Sequence, residues 1–253
     1  MHLDRLVAVL ETVAIAGRPV SATDVQQATG LPRPTCYRLL NTLAEQRLLD
    51  QPDGGNGFII GQRLHRIALL GQPDADVCRA AAPRLKSLAI EIGEAVFLSR
   101  FRDREVEIIH VETPSDESRS FIHPGLGSRP LHACSCSKVI AAFADKHFRH
   151  QILSAPLKAY TDQTKTEPGQ VEQEFAKIRN QGFAECVEEI EVGVSSVAAP
   201  IRIGDAGVPL SVGATGPIRR FTAGHRRRIG KDLIATAGQI AATLQLAQIV
   251  SVE

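Results

Sequence analysis

Between Ser21 and Gln46 the chain sets arginine, asparagine, threonine and tyrosine against a short apolar stripe. Cys36, Leu39, Leu40 and Leu43 share one side of a helical repeat, which turns Pro34, Arg38 and Asn41 outward and leaves Arg33, Thr35, Tyr37 and Thr42 on the flanks. Those side chains suit a nucleic-acid groove. Arginine holds a guanine edge with two parallel hydrogen bonds, asparagine does the same for adenine, and hydroxyls settle on phosphate. With Ser21, which opens the preceding helix, the expected DNA contacts are Ser21, Arg33, Thr35, Tyr37, Arg38, Asn41 and Thr42.

A second group of reactive types lies further on: His132, Cys134, Cys136, Cys186 and Glu189. Thiols, imidazole and carboxylate are soft-metal ligand types, and a thiol near a base can be redox-active. Cysteine also packs as a small hydrophobe. Packing or ligand lining, a redox-sensitive thiol and a metal site all remain open. Catalysis would need a Cys–His pair with an orienting acid, which spacing alone does not supply, so no catalytic residue, metal or cofactor is expected.

The elements that must position the first group can be read around it. Leu3, Leu6, Val7, Leu10, Val13 and Ala14 form a stripe on a supporting helix. Ser21 is placed as an N-cap with Asp24 completing a weak capping box, Val25 and Ala28 face inward, and Gly30 closes the helix in the left-handed conformation. Pro32 or Pro34 then fits the first turn of the second helix. Leu48 to Asp50 and Phe58 to Ile60, separated by Asp53-Gly54-Gly55-Asn56, read as a hairpin wing. Residues 1–60 hold five arginines and six acids, with the positive charge assigned to the second helix (Arg33, Arg38, Arg47 against Glu45). One such domain should bind weakly, so pairing of subunits is expected.

Leu64, Ile67, Ala68 and Leu70 give a linker helix, broken at Gly71-Gln72-Pro73-Asp74. Beyond it the pattern is mixed. Ala75 to Gly93 is helical, with Pro83 expected to kink it or begin a new segment. Strands are expected at Ala95–Arg100, Val106–Glu112, Arg119–His123, Phe183–Glu188, Val194–Ile203 and Val208–Ala214. Helices are expected from Ser135 through Ala144 and from Pro168 to Gln181. A last one, capped by Thr222, carries Ile229, Leu233, Ala237, Ile240, Leu244 and Ala247 on one face. The fold class is α+β with one largely antiparallel sheet. The expected division is a winged helix-turn-helix at 1–61, a linker helix at 62–72 and an effector-binding and oligomerisation domain at 73–253.

With 253 residues, 43% apolar and 23% charged, the composition is that of a soluble globular protein of two domains. No signal segment or long apolar span is evident, and five cysteines without a C-x-x-C pair argue against structural disulfides. A cytoplasmic location follows as the expectation. The net charge of +1 argues against membrane binding. Arg226-Arg227-Arg228 with Lys231 reads as solvated surface or a subunit contact.

Three blocks in order resemble the isocitrate lyase regulator (IclR) family of bacterial transcription factors: Thr29-Gly30-Leu31-Pro32 with Thr35 to Leu40; Gly127 to Ala133 running into Lys138; and Gly182-Phe183 through Glu189, Gly193 and Ser196 to Ile201. The resemblance implies a GAF-like second domain with a small-molecule pocket beside its sheet, and a dimer or dimer of dimers on a palindromic operator of double-stranded DNA. It also implies a pocket map of Ala133, Cys134, Ser135, Cys186, Glu189, Ser195 and Ser196. Free amides where Ser135 opens its helix suit an anion, so the expected effector is a small organic acid of the glyoxylate, pyruvate or aromatic carboxylate type. The chain departs from the family at Cys186, where Asp or Ser is usual, at Cys134 for Thr, at Ser137 for Gly, and at Arg202-Ile203. Those departures sustain an alternative in which Cys134, Cys136 and Cys186 form a thiol-redox or metal-responsive sensor on the same DNA-binding frame.

Overall fold

The computed structural model describes residues 2–52, 56–115, 122–203 and 208–250. The chain divides into two compact units between Gly71 and Gln72.

In the first unit α1 (His2–Ala16), α2 (Ala22–Thr29) and α3 (Arg33–Glu45) precede a two-stranded antiparallel wing, β1 (Leu49–Asp50) and β2 (Ile59–Ile60), and α4 (Gln62–Gly71). The wing turn at residues 53–55 lies outside the described residues. Val9, Val13, Val25, Cys36, Leu39, Leu40, Leu43 and Leu49 form the core, with Leu6 and Leu10 packed against it. This rotates α1 from the expected face: Leu3 and Val7 are exposed, and Val9 takes the inward place. Ala28 is likewise exposed, because an eight-residue helix needs little more than Val25 to anchor it.

The α2–α3 junction has a local chemical cause. Ser21 accepts from the Asp24 amide at 3.2 Å while the Ser21 amide donates to the Asp24 carboxylate at 2.8 Å, a complete capping box. Gly30 closes α2 at φ 69°, which only glycine adopts without cost. Pro32 is the N-cap of α3 and Pro34 sits in its first turn. Arg47 is not part of α3: the helix ends at Glu45, and Arg47 has left-handed backbone at φ 55°.

The second unit is one antiparallel sheet in the order β5-β4-β3-β8-β7-β6. The strands are β3 (Ala95–Arg102), β4 (Glu105–Glu112), β5 (Gly127–Arg129), β6 (Ala184–Val187), β7 (Val194–Ile201) and β8 (Leu210–Pro217). One face carries α6 (Ser135–Phe143), α7 (Lys146–Ser154) and α8 (Pro168–Gln181), whose Val139, Ile140, Phe148, Ile152, Phe175 and Ile178 meet Phe97, Ala184 and Ala198. Against β3 and β7 also pack α5 (Asp74–Ile92) and α9 (Ala223–Val250), which contact each other.

Several expectations are corrected here. Pro83 does not begin a new segment; it lies inside α5 on the exposed side, where a carbonyl robbed of its partner can be solvated. Of the strand expected at Arg119–His123, residues 119–121 are outside the described set and Ile122 and His123 are not extended in a ladder; the edge strand is Gly127–Arg129, paired with Val106 to Ile108. α7 was not anticipated. The loop at 204–207 and the side chain of Ala247 lie outside the described residues, while Thr222 accepts from the His225 amide at the start of α9 and Ile229, Leu233, Ala237, Ile240 and Leu244 are buried as the stripe requires.

Candidate functional sites

On the first unit, Arg33, Tyr37, Arg38 and Thr42 of α3 are exposed, and Thr35 and Asn41 are half-buried. The buried stripe of Cys36, Leu39, Leu40 and Leu43 fixes the helix and so fixes which side chains stand outward. Ser21, Arg33, Pro34 and Tyr37 line one open cleft of about 590 Å3 with Thr23, Gln51, Asn56 and Phe58. Arg38, Asn41 and Thr42 lie further along α3 and are not in it. Thr23, Gln51 and Asn56 were not anticipated, since wing residues join the cleft only through the strand pairing. The Ser21 hydroxyl donates to Asp24 at 2.5 Å, so its proton serves the cap rather than a phosphate. Arg18, hydrogen-bonded to Asp24 at 2.8 Å, and Ser21 hold the Asp24 carboxyl well below the usual carboxylate range.

On the second unit, the β6–β7 ladder and the start of α6 bring most of the expected pocket residues together. Cys186 on β6 faces Ser196 on β7 in register, and the Ser196 hydroxyl lies 2.7 Å from that of Ser135, the first residue of α6. Ala133, Cys134 and Ser135 are buried, and Cys134, the N-cap, gives the helix no side-chain acceptor. Cys134 Sγ is 3.4 Å from Cys136 Sγ. Burial first, then the neighbouring Cys134, pushes the Cys186 thiol up to about 12. It is a neutral group at physiological pH.

Ser195 does not join this wall. Adjacent strand residues point to opposite faces, and since Ser196 meets α6, Ser195 is turned to the other side of the sheet. There its hydroxyl donates to the Cys186 carbonyl at 3.0 Å, a contact that holds the strand pair.

Glu189 is buried in the turn after β6, and its partner is Lys138, one turn into α6 and 1% exposed, with Nζ at 2.6 Å from Glu189 Oε1. Glu174 of α8 is 3.7 Å from the same Nζ, and half-buried Lys165 lies 3.5 Å from both acids. Burial opposes the Lys138 charge, but Glu189 and Glu174 outweigh it and the ammonium is held above its usual range. Burial likewise opposes the Glu174 charge, and Lys138, Lys165 and Lys177 outweigh it, so that carboxyl stays below its usual range. Thr164 donates to the Glu189 carbonyl at 2.6 Å, which ties the crossing loop to the turn. Glu189 Oε2 is buried and has no hydrogen-bond partner.

Lys138, Lys165 and Glu174 were not among the expected site residues. His132, expected beside the thiols, turns away to the Lys158 carbonyl at 3.0 Å. Among the described residues no three His, Cys, Asp or Glu side chains converge closely enough to hold a metal ion, and no described helix is long and apolar enough to cross a membrane.

Known proteins share both units. The Glycerol operon regulatory protein of Streptomyces coelicolor is 32% identical over 222 residues, 87% of this chain and 85% of that protein. The Transcriptional repressor IclR of Escherichia coli is 24% identical, covering 94% and 88%. Among solved structures, the IclR of Thermotoga maritima superimposes with a TM-score of 0.63 at 22% identity, over 96% of this chain and 98% of that one. An IclR homologue from Microbacterium hydrocarbonoxydans, complexed with 4-hydroxybenzoate, gives 0.62 at 24% identity over 97% and 100%; at these identities the likeness establishes the fold. The pattern described as the IclR helix-turn-helix domain matches residues 2–53, and that of the bacterial transcriptional regulator IclR C-terminal region matches 73–242. Two matched units in one chain, a helix-turn-helix with a wing and an antiparallel effector-type domain, place the protein in the IclR family of DNA-binding transcriptional regulators.

Proposed function

We propose that operator binding by this regulator is set by a small organic acid held on the α6 face of the sheet, against Ser135, Ser196, Cys186 and the Lys138–Glu189 pair. The observation that carries this reading is the orphaned Glu189 Oε2. A buried carboxylate oxygen without a donor costs about 1–3 kcal/mol or more, and a ligand hydroxyl supplies that donor. The acid end then lies at the start of α6, whose first-turn amides lack a side-chain cap and carry the positive end of the helix dipole. The fixed charges already pair among themselves, so amides and hydroxyls provide the recognition. The carboxylate and hydroxyl of 4-hydroxybenzoate, bound by the Microbacterium homologue, match this division of donors and acceptors.

On the DNA side, Arg33, Tyr37, Arg38, Asn41 and Thr42 contact the operator, with Thr35 and the α2 N-terminus at the backbone. Exposed Leu3 and Val7 on α1 and Ile67 on α4 support pairing into a dimer, or a dimer of dimers, on a palindromic site.

Thermal unfolding with a panel of acids tests the effector reading. The panel is glyoxylate, pyruvate, benzoate and 4-hydroxybenzoate, each with and without reductant and chelator. At about 100-fold over Kd, a ligand of the native state adds about 2.7 kcal/mol, a midpoint rise of roughly 5–10 °C. Hydroxylated acids should exceed their deoxy analogues. No shift with any acid would discard this reading, and a shift lost only with chelator would favour a metal-linked trigger.

A further inference from the structure

Cys134 and Cys136 are buried in the core beneath α6, and there they face each other. Their sulfurs are 3.4 Å apart, both on the backbone that starts α6, with Cys134 as N-cap and Cys136 as second helical residue. A disulfide has S–S near 2.05 Å, so closure needs an approach of roughly 1.4 Å. The Ser137 hydroxyl also lies 3.9 Å from the Cys136 sulfur, so that sulfur has two polar neighbours. Between the two cysteines sits Ser135, whose hydroxyl meets Ser196.

We propose that Cys134 and Cys136 form a dithiol switch, oxidised by a hydroperoxide to an intramolecular disulfide that draws Ser135 away from Ser196. The Cys136 thiolate attacks one peroxide oxygen, the O–O bond breaks, and hydroxide leaves with Cys136 as a sulfenic acid. The Cys134 sulfur then attacks the Cys136 sulfur, the S–O bond breaks and water departs. In sum, two thiols and one hydrogen peroxide give one disulfide and two waters. Each sulfur loses one electron, and the peroxide oxygens gain two.

The local electrostatics favour this order of events. Burial opposes ionisation of Cys136, but donors from Cys134, Ser137 and Ser99 and the charge of Arg129 outweigh it and hold that thiol below its usual range. Cys134, by donating to Cys136 and by burial, is held well above. One thiol that ionises more readily than usual beside one that is held protonated is the arrangement of an attacking and a resolving cysteine. The competitors are weaker. Cys186 is pushed up by burial to about 12, and Cys78 is raised by burial and Asp74. Cys36 is the one cysteine in residues 1–71, so it has no second sulfur in its own unit to resolve it.

The test uses the full-length reduced protein, exposed to stoichiometric hydrogen peroxide, alkylated and digested. The expected result is that two of the five cysteines escape alkylation, and that the peptide carrying residues 134–136 is lighter by two hydrogen atoms and recovers with dithiothreitol. Cys134→Ser and Cys136→Ser should each abolish this product, and Cys186→Ser should leave it. Should the serine variants fail to fold, the peptide mass from wild-type protein still decides. A disulfide mapped to Cys78 or Cys186, a product surviving in Cys136→Ser, or five cysteines still alkylated would overturn the proposal. Mapping the disulfide requires no effector, so its failure is separate from failure of the organic-acid reading. Acid-induced stabilisation measured on oxidised protein then reports whether closure disturbs the Ser135–Ser196 wall, with a loss of at least tenfold in affinity expected.

Discussion

Replacing Lys138 by methionine tests whether the charge network is the frame of the proposed effector site. The lysine side chain is 1% exposed, its nitrogen 2.6 Å from Glu189 and 3.7 Å from Glu174. Methionine fills the volume and removes the cation. Buried Glu189 and half-buried Glu174 then keep Lys165, one-third exposed and 3.5 Å from each, with Lys177 acting on Glu174 as well. Removing one member of a buried pair costs about 3–5 kcal/mol, and Lys165 places the expected loss at the lower end, about 3 kcal/mol. For a unit of this size that is a midpoint fall of roughly 6–12 °C. Lys138→Met with Glu189→Leu should recover much of the loss, because an apolar pair carries no desolvation penalty. The pH dependence has a sign. Lys138 is held above its ordinary 10.5, so its contribution is complete below pH 10.5 and lost as pH rises through the folded value; the variant should lack that alkaline decline. Urea unfolding of wild type, both single variants and the double variant closes the cycle. A single variant within about 0.5 kcal/mol of wild type, or a double variant no more stable than Lys138→Met, would refute the argument.

Arg38→Ala should weaken operator binding while leaving the fold intact; about 1–3 kcal/mol of base discrimination would be lost if it reads a guanine, whereas a phosphate contact would weaken all sequences alike, and unchanged gel-shift titrations would remove Arg38 from the interface. A fragment beginning at Gln72 should fold alone, since it retains the Gln72 carbonyl and Asp74 carboxylate that accept from buried Arg100 at 2.8 and 2.6 Å; insolubility or loss of acid-induced stabilisation would count against the boundary. Cys186→Asp should cut affinity for a carboxylate effector by about tenfold or more by placing a second charge near Glu189, while Cys186→Ser should be tolerated, and equal calorimetric affinities for wild type and the aspartate variant would assign this position to packing.

The segments legible in the sequence were those whose ends carry their own chemistry. Ser21 with Asp24 and Gly30 delimit α2, and Pro168 and Gly182 delimit α8, because caps act within one turn and need no tertiary partner. α7 escaped because only Phe148 and Ile152 of its nine residues face inward, too few for a periodic signal. Asp145, which caps it by accepting from the Phe148 amide at 2.8 Å, was the available clue. Pro83 begins no new segment because the carbonyl it leaves without an amide partner is on the exposed side and can reach water.

The site was less legible because its partners come from distant segments. Yet α6 is buried from Ser135 to Ala142 with one lysine in it, and Glu174 falls on the inward stripe of Val171, Phe175 and Ile178. A charge on each of two inward helix faces predicts a partner for each, so Lys138 and Glu174 could have been matched from sequence. Ser195 and Ser196 could also have been separated, since neighbours in a strand cannot line one wall.

The same charge pairing sets how the two sites should respond to salt. Around the effector wall Lys138 and Lys165 are matched by Glu174 and Glu189, so an acid bound there is held by amide and hydroxyl dipoles over short, buried distances that ions screen poorly. The α3 face is exposed arginine, and contacts with phosphate release counterions, so affinity falls steeply with salt. Between 50 and 200 mM salt, operator affinity should drop by roughly tenfold or more for each few phosphate contacts, while the effector constant should change by about twofold or less. Titrations of both ligands across that range separate the two modes. An effector affinity that falls in parallel with operator affinity would mean the acid is held by an exposed cation, and that the buried Lys138–Glu189 wall is not where it binds.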